Sequence, residues 1–295
     1  MGRRSDRRGS RVDRARDARP VGPTRPRDVL GSLPTEGRDV DHTRRVAVVT
    51  GAAGAIGTAL TATLTDAGYD VVGLDLPAAC PPERLASGAM VGCDITDDAE
   101  VRAVFERIVA EHGRIDLLVN NAGISAIGAF DDHDVETHRQ VLAVNHLGSV
   151  SCTQAALPAL RESRGHVVVI SSVAGFAPVV GRPAYVAAKH AVTGMFESLR
   201  PELARDGVGV TLVHPTFLIT HLGTAEGGTE RTTTGSAVTA DDVARAVLEG
   251  VQKRRPRVLV GRTAHVAWHV RRLAPGLYER LMTRRMTATE GADRG

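Results

Sequence analysis

The stretch that decides the fold is Val46-Ala47-Val48-Val49-Thr50-Gly51-Ala52-Ala53-Gly54-Ala55-Ile56-Gly57. It begins as a short β-branched strand, passes through a glycine-rich turn, and continues into a helix with apolar residues from Leu60 to Leu64. Glycines at such a turn let the backbone approach a pyrophosphate, and the start of the helix offers unpaired N–H groups. The stretch predicts a phosphate-binding strand-turn-helix unit; a plain tight turn is the simpler alternative.

A second strand, Val71 to Leu74, follows and ends in Asp75, about 20 residues beyond the glycines. An acidic side chain at this spacing is expected to accept hydrogen bonds from the adenosine ribose hydroxyls of a dinucleotide. Its charge would oppose a 2′-phosphate, and no Arg or Lys follows in Leu76-Pro77-Ala78 to neutralise one. The pattern favours NAD over NADP as cofactor, with a surface Asp at a strand end as the alternative.

Strand-like and helix-like segments alternate along the rest of the chain, and this alternation is typical of a parallel sheet with helices on both faces. We therefore predict the α/β fold class, in the form of a Rossmann-type doubly wound parallel sheet of about seven strands flanked by helices. The predicted strands are Val46 to Thr50, Val71 to Leu74, Ala89 to Gly92, Ile115 to Val119, His166 to Ile170, Val208 to Val213 and Val258 to Val260.

A second group of reactive side chains lies in Tyr185-Val186-Ala187-Ala188-Lys189, with Ser172 thirteen residues before Tyr185. On a helix, Tyr185 and Lys189 share one face, so the ammonium is expected to favour the phenolate and lower its pKa. Ser172 follows a predicted buried strand, and open α/β sheets bind ligands at the carboxyl ends of their strands. The three side chains are expected to converge on one substrate oxygen, although an ordinary half-exposed Tyr/Lys pair is the alternative.

These features resemble the short-chain dehydrogenase/reductase family in its compact single-domain form, over about Arg45 to Gly261. The resemblance implies the strand order 3-2-1-4-5-6-7 and an enzyme that acts on CH–OH groups with NAD as acceptor, NADP being less favoured. Further motifs that carry it follow in the family's order: Cys93-Asp94-Ile95-Thr96, Asn120-Asn121-Ala122-Gly123, Val144-Asn145-His146 and His214-Pro215-Thr216-Phe217-Leu218-Ile219-Thr220.

Two positions depart from the family's pattern. Ala55 stands where a glycine is usual, with Gly54 immediately before it, and Thr216 stands where the segment after Pro215 usually has a glycine. We expect the turn to accommodate the single methyl of Ala55, and Thr216 to alter how the nicotinamide end is held.

The resemblance also implies roles for particular residues. Tyr185 is the expected general acid/base, Lys189 the neighbour that lowers its pKa, and Ser172 the hydrogen-bond donor to the substrate oxygen. Asn145 is expected to hold a water that links Lys189 to solvent. The expected cofactor-binding residues are Gly51, Gly54, Ile56, Gly57, Asp75, Asp94, Ile95, Asn121, Ala122, Gly123, Tyr185, Lys189, Pro215 and Thr220.

The segments expected to line the substrate pocket, Ser125 to Ala129, Val173 to Val180 and Phe217 to Thr229, are mostly apolar. They favour a lipophilic secondary alcohol and its ketone over a sugar or an acyl-carrier substrate. Gly223 to Ser236 is expected to form a mobile loop over this substrate. A different class of function, a catalytically silent NAD-binding sensor or scaffold, remains an alternative, against which the intact set of reactive side chains argues.

Composition bounds the remaining expectations. The 295 residues are 42% hydrophobic and contain no apolar run of 18 residues, which predicts a soluble protein. Cys80, Cys93 and Cys152 are widely spaced and form no metal-ligand pattern, so we expect a cytoplasmic protein with reduced thiols and no metal site.

The two ends of the chain differ from its centre. Residues 1–43, rich in Arg, Asp, Pro and Gly, are expected to be a disordered basic leader and not a nucleic-acid-binding arm. Residues 44–261 are the expected NAD-binding catalytic domain. Residues 262–295 form an amphipathic, basic helical extension that is expected to pack over the cleft or against a partner subunit of a homodimer or homotetramer; contact with a membrane surface is the alternative.

Overall fold

The structure, a computed structural model, describes residues 44–86, 89–216 and 238–282. The predicted leader, Thr220 and the predicted loop from Gly223 to Ser236 lie outside the described residues. Within the described part of the chain, no helix has the length and apolar character needed to cross a membrane.

In the described part of the chain, seven parallel strands form one sheet in the order β3-β2-β1-β4-β5-β6-β7, which confirms the predicted fold class and strand order. The strands are nearly continuous runs of buried apolar residues, as expected for a sheet that is covered on both faces. Their bounds are β1 Arg45–Thr50, β2 Tyr69–Asp75, β3 Met90–Gly92, β4 Leu117–Asn120, β5 His166–Ile170, β6 Gly209–Pro215 and β7 Arg257–Val260.

The predicted strand bounds differ from the observed ones by one or two residues at several ends, because pairing with neighbours decides where a strand stops. Tyr69 joins β2 because it pairs with Arg45 of β1. Pro215 remains in β6 because it pairs with Val260 of β7.

Helices cover both faces of the sheet. They are α1 Ala55–Asp66, α2 Pro82–Ala86, α3 Asp98–His112, α4 Val135–Leu142, α5 Gly148–Ser163, α6 Pro183–Ala204, α7 Ala240–Gln252 and α8 Arg262–Leu273. A π-helical turn, Ala143–Leu147, joins α4 to α5, and 3₁₀ turns occur at Pro77–Ala79, Phe130–Asp132 and Val173–Gly175. Residues 275–282 are also helical.

Two apolar clusters hold these layers together, one on each face of the sheet. The first contains Phe105 of α3, Leu160 of α5 and Phe196 of α6, each at most 1% exposed. The second contains Leu60 of α1 and Val247 of α7, both fully buried. With its helices fixed on both faces, the sheet presents the carboxyl ends of β1, β2, β4 and β5 along one edge, which is where the predicted site residues lie.

Candidate active site

The glycine turn after β1 is shaped by two of its three glycines. Gly51 has a φ of +66°, and a Cβ there would lie 2.7 Å from the Cα of Ala122. A Cβ on Gly57 would lie 2.0 Å from the carbonyl oxygen of Gly51, so no other residue fits where α1 passes under the turn. At Gly54 the nearest atom would be 3.5 Å away, which is an ordinary contact. Ala55, the departure from the family's pattern, is the first residue of α1.

Asp75, at the end of β2, is tied to this turn. Its Oδ2 accepts a hydrogen bond from the backbone N–H of Ala53 at 2.8 Å, and its Oδ1 accepts one from the N–H of Leu76 at 2.9 Å. Each carboxylate oxygen has a second lone pair, so Asp75 can hold the turn and still accept hydrogen bonds from a ligand. The anchoring of the turn is a second role that the spacing alone did not predict.

A cavity of about 900 Å³ opens beside the turn and collects most of the predicted cofactor residues. Its volume and its chemistry fit a dinucleotide: glycine backbone at one end, a carboxylate beside it, and apolar walls between. The predicted residues that line it are Gly51, Gly54, Ile56, Gly57, Asp75, Asp94, Ile95, Asn121, Ala122 and Gly123. Tyr185, Lys189 and Pro215 are not among its lining residues.

Asp94 and Ile95 form one wall of the cavity. Asp94 Oδ1 accepts hydrogen bonds from the N–H and the hydroxyl of Thr96, at 2.9 and 2.7 Å, which fixes its carboxylate at the rim. Ile95 packs against Gly148, where a Cβ would lie 2.5 Å from the Ile95 Cδ1. Gly148 at the start of α5 therefore makes room for this wall.

Thr50, a residue that the sequence analysis did not single out, organises the segment after β4. Its buried hydroxyl accepts hydrogen bonds from the backbone N–H groups of Asn121 and Ala122, both at 3.0 Å, and donates to Val119 O at 3.4 Å. The Asn121 side chain returns hydrogen bonds to the carbonyl oxygens of Thr50 and Gly51, at 2.9 and 3.0 Å. In the sequence, Thr50 is recognisable only as a threonine directly before the first glycine of the turn. Its hydrogen-bond partners lie about 70 residues further along the chain, so its role could not be predicted from local sequence.

Asn145 lies in the π-helical turn Ala143–Leu147, and its side chain faces Gly123, the last residue of the segment after β4. Its Nδ2 donates to the carbonyl oxygens of Ile124 and Val141, each at 2.8 Å. Its Oδ1 is a buried acceptor that has no hydrogen-bond partner among the described residues. A Cβ on Gly123 would lie 2.5 Å from this oxygen and 3.5 Å from Lys189 Nζ, so Gly123, which lines the cavity, is the residue that lies next to both groups. A π-helical turn often marks a functional position, and this one aims Asn145 at the site.

Lys189 and Tyr185 lie one turn apart on α6, as predicted. Lys189 is 4% exposed, donates to Ile170 O at 2.9 Å, and has its Nζ 5.6 Å from the centre of the Tyr185 ring. Burial lowers the pKa of Lys189 to about 8. Tyr185 forms a side-chain hydrogen bond with Ser172, and Ser172 Oγ accepts one from the N–H of Ala174 at 3.1 Å. The structure therefore brings the three residues together.

The pKa of Tyr185 departs from the expectation based on Lys189. Burial raises it above the ordinary value of 10.0, while the hydrogen bond with Ser172 and the charge of Arg182 act in the opposite direction. Loss of hydration around the phenol outweighs these two effects. The charge of Lys189 is not among the causes that lower the pKa of Tyr185. The expected lowering of this pKa by Lys189 is therefore wrong, because burial decides its direction.

Behind the site, His214 supports the Ser172 segment. Its Nδ1 lies 2.9 Å from the carbonyl oxygen of Ser172, and because a carbonyl only accepts, Nδ1 carries the proton and donates. Burial lowers the pKa of His214 to about 4, and its ring meets Phe176 edge to face at 5.2 Å. His214 is thus a neutral structural side chain that holds the backbone of a proposed catalytic residue.

Pro215 is the last residue of β6 and pairs with Val260 of β7. Thr216, the second departure from the family's pattern, is accommodated by Gly261. A Cβ on Gly261 would lie 2.5 Å from Thr216 Cγ2, and Gly261 has a φ of +93°. The Thr216 N–H donates to Val260 O at 3.1 Å and extends the pairing of β6 with β7. The side chain at 216 therefore fills the space that Gly261 leaves. Thr220 lies outside the described residues.

Comparison with known proteins agrees with this geometry. The family model of short chain dehydrogenases matches residues 45–230. The chain belongs to the short-chain dehydrogenase/reductase family. Dehydrogenase/reductase SDR family member 7B of Xenopus laevis is 38% identical over 205 residues, which cover 66% of this chain but only 64% of the relative, less than two thirds of its length. The mouse protein of that name is 34% identical over 260 residues, which cover 81% of this chain and 80% of its own.

Solved structures of the same family share the fold. A short-chain dehydrogenase from Burkholderia cenocepacia in complex with NADP is 25% identical, with a TM-score of 0.71, and the alignment covers 81% of this chain and 97% of that one. A family member from Burkholderia phymatum in complex with NAD is 24% identical, with a TM-score of 0.67, over 79% of this chain and 95% of that one, and shows the fold alone. These two SDR structures hold different forms of the nicotinamide cofactor.

Proposed function

We propose that this SDR chain is an NAD-dependent oxidoreductase that interconverts a lipophilic secondary alcohol and its ketone, with Tyr185 as general acid/base. The observation that carries the proposal is the position of Gly123: it lines the dinucleotide-sized cavity, and a Cβ on it would lie 2.5 Å from Asn145 Oδ1 and 3.5 Å from Lys189 Nζ. Lys189 in turn lies against the ring of Tyr185, which is hydrogen-bonded to Ser172.

The residues around the cavity would hold the cofactor in a defined direction. The glycine turn and the start of α1 would bind the pyrophosphate, Asp75 the adenosine ribose, and Asp94 with Ile95 the adenine side. A bound nicotinamide would supply the redox chemistry, by accepting a hydride from the alcohol carbon or returning it to the ketone. Asp75 favours NAD over NADP because its charge opposes a 2′-phosphate.

Proton transfer is the part that the chain's own residues perform. The raised pKa of Tyr185 keeps the phenol protonated near neutral pH, which suits donation of its proton to a ketone oxygen. The Ser172 hydroxyl is held by the N–H of Ala174 and would hydrogen-bond the same substrate oxygen. In the direction of alcohol oxidation, Tyr185 would take the hydroxyl proton as hydride departs, which avoids a free alkoxide.

Lys189 and Asn145 would complete the path by which Tyr185 regains its proton. With a pKa of about 8, Lys189 can exchange a proton close to physiological pH. The unpaired Oδ1 of Asn145 is an acceptor beside Lys189 Nζ, in the position from which it could bind a water that leads to solvent.

The proposed substrate class follows from two segments that were predicted to line the pocket. The N–H of Gly128 donates to Gly181 O at 3.0 Å, so the segment after β4 and the segment after β5 meet at this point. Both present apolar side chains to solvent there, with Ile127 60% and Val180 44% exposed. Exposed aliphatic groups beside a catalytic site favour an apolar ligand.

The experiment is a Tyr185→Phe variant, measured against a panel of lipophilic secondary alcohols by NADH absorbance. We expect kcat to fall at least about 100-fold while NADH affinity changes little, because only the hydroxyl is lost. Tyr69→Phe is the matched control, since Tyr69 is 4% exposed in β2 and stacks with Arg45 away from the site. Residual activity above about a tenth of wild type would remove Tyr185 from the mechanism, and an inactive wild type that binds NADH would favour the sensor alternative.

A further inference from the structure

The segment that follows Gly261 has one face that is packed against the catalytic domain. Ala264 and Ala267 of α8 are buried there together with Tyr278, in a cluster with the loop that follows β5. The Tyr278 hydroxyl donates to Pro178 O at 3.0 Å. Trp268, the one tryptophan of the chain, meets the Phe176 ring edge to face at 5.0 Å. This side of the segment is therefore fixed in place.

The segment also carries four large aliphatic side chains that are not covered, of which Val266 and Leu273 lie on the face of α8 opposite Ala264 and Ala267. We call the four the C-terminal patch: Val266, Leu273, Leu277 and Leu281. Their exposed fractions are 61%, 80%, 50% and 46%. Leu273 is the most exposed large hydrophobic side chain among the described residues. Single exposed leucines are common on protein surfaces, but four on one short segment mark an interaction site.

Positive charge accompanies this patch. Arg262, Arg272 and Arg280 are exposed on the same segment, and its one acidic residue within the described part, Glu279, forms an ion pair with Arg271 at 3.7 Å. Residues 262–282 contain four Arg against one acidic residue, whereas residues 46–261 contain 17 Lys and Arg against 24 Asp and Glu. The charge of the patch is therefore opposite in sign to that of the catalytic domain.

We propose that the C-terminal patch docks on the surface of a membrane that contains anionic lipid. Leucines inserted at the level of the headgroups, with arginines beside them, are the combination that binds such a surface. The negative catalytic domain would be repelled by the lipid, so the complementary charge of the patch sets the orientation. This docking does not depend on the proposed reaction.

A second copy of the chain is the competing occupant, and the charge distribution argues against it. In a two-fold contact each patch would face itself, and the exposed arginines of one copy would lie against those of the other. Like charges brought together in this way oppose association, whereas an anionic lipid surface neutralises them.

The test is co-sedimentation of the full chain with vesicles of phosphatidylcholine alone and of phosphatidylcholine and phosphatidylserine at about 7:3. We expect binding to the anionic vesicles and at least about tenfold weaker binding of the Leu273→Glu/Leu277→Glu variant. The matched control is Val135→Glu/Leu147→Glu, which places the same charges at side chains 66% and 53% exposed on another surface. Emission from Trp268 checks that α8 stays packed in each variant.

Equal binding of wild type to both vesicle types, or equal binding of the patch variant and the control, would overturn the proposal. Size-exclusion chromatography without lipid separates the competing occupant: a wild-type dimer that the patch variant alone abolishes would assign the patch to a second copy. A patch variant that loses vesicle binding at unchanged size and unchanged Trp268 emission supports the lipid surface.

Discussion

Replacing Thr50 by Val tests whether one buried hydroxyl organises the floor of the cofactor cavity. The Thr50 side chain is 1% exposed and accepts hydrogen bonds from the backbone N–H groups of Asn121 and Ala122, both at 3.0 Å. Valine has nearly the same shape but no acceptor, so both N–H groups lose their partner. Each unsatisfied buried donor costs about 1–3 kcal/mol.

Because Asn121 and Ala122 are only half-buried, the lower part of that range applies, and we expect a loss of about 2–4 kcal/mol in the free energy of unfolding. For a domain of this size that loss corresponds to a melting temperature lower by about 5–15 °C. Thr50→Ser is the matched control: it keeps the hydroxyl and removes one methyl group, which costs about 1 kcal/mol.

The measurements are thermal unfolding by circular dichroism and NADH binding by fluorescence titration. Thr50→Val should weaken NADH binding as well as stability, since the segment it supports, Asn121 to Gly123, lines the cavity. If Thr50→Val and Thr50→Ser have melting temperatures within about 2 °C of each other, the two hydrogen bonds do not carry the stability assigned to them.

Other predictions concern the turn, the cofactor and acid stability. Gly57→Ala should abolish NADH binding whereas Gly54→Ala leaves it within about threefold, because the added Cβ would meet an atom at 2.0 Å in the first case and at 3.5 Å in the second; equal titrations would contradict the close approach. Asp75→Ala should shift the preference in kcat/KM from NAD towards NADP, because the repelling charge is lost. Asp75→Asn should shift the preference in the same direction but lose less stability, because its side chain keeps an acceptor for the Ala53 N–H. A wild type that prefers NADP would refute the role of Asp75 in cofactor choice. Burial lowers the pKa of His166 and of His214 to about 4, so the unfolded chain takes up protons first as the pH falls below 6.5. These two histidines should therefore lower the free energy of unfolding between pH 6.5 and 4 and contribute no further loss below pH 4. Urea unfolding of an asparagine variant at either position should show a shallower decrease over that interval, and an unchanged slope would exclude that histidine.

The sequence by itself determined the fold class and the positions of the reactive side chains along the chain, and its resemblance to the short-chain dehydrogenase/reductase family implied the order of the strands. Buried strands in a parallel sheet are continuous apolar runs, and Gly57 is required by its close contact with the Gly51 carbonyl oxygen in the same turn, so both are readable locally. Tyr185 and Lys189 are likewise placed by the repeat of a single helix. Several strand ends were misplaced by one or two residues because pairing with a neighbouring strand decides where each strand stops.

Only the tertiary structure decided what surrounds those positions. Three contacts at the site join residues that are distant along the chain. Thr50 accepts hydrogen bonds from the segment after β4, His214 supports Ser172, and Gly261 leaves space for the side chain of Thr216. The pKa of Tyr185 was predicted to fall from its spacing to Lys189, yet burial raises it, because hydration of the phenol depends on everything packed around it. Spacing along a chain specifies which groups can meet, whereas the loss of water and the partners supplied by distant strands decide their energies, and these arise only when the whole sheet has assembled.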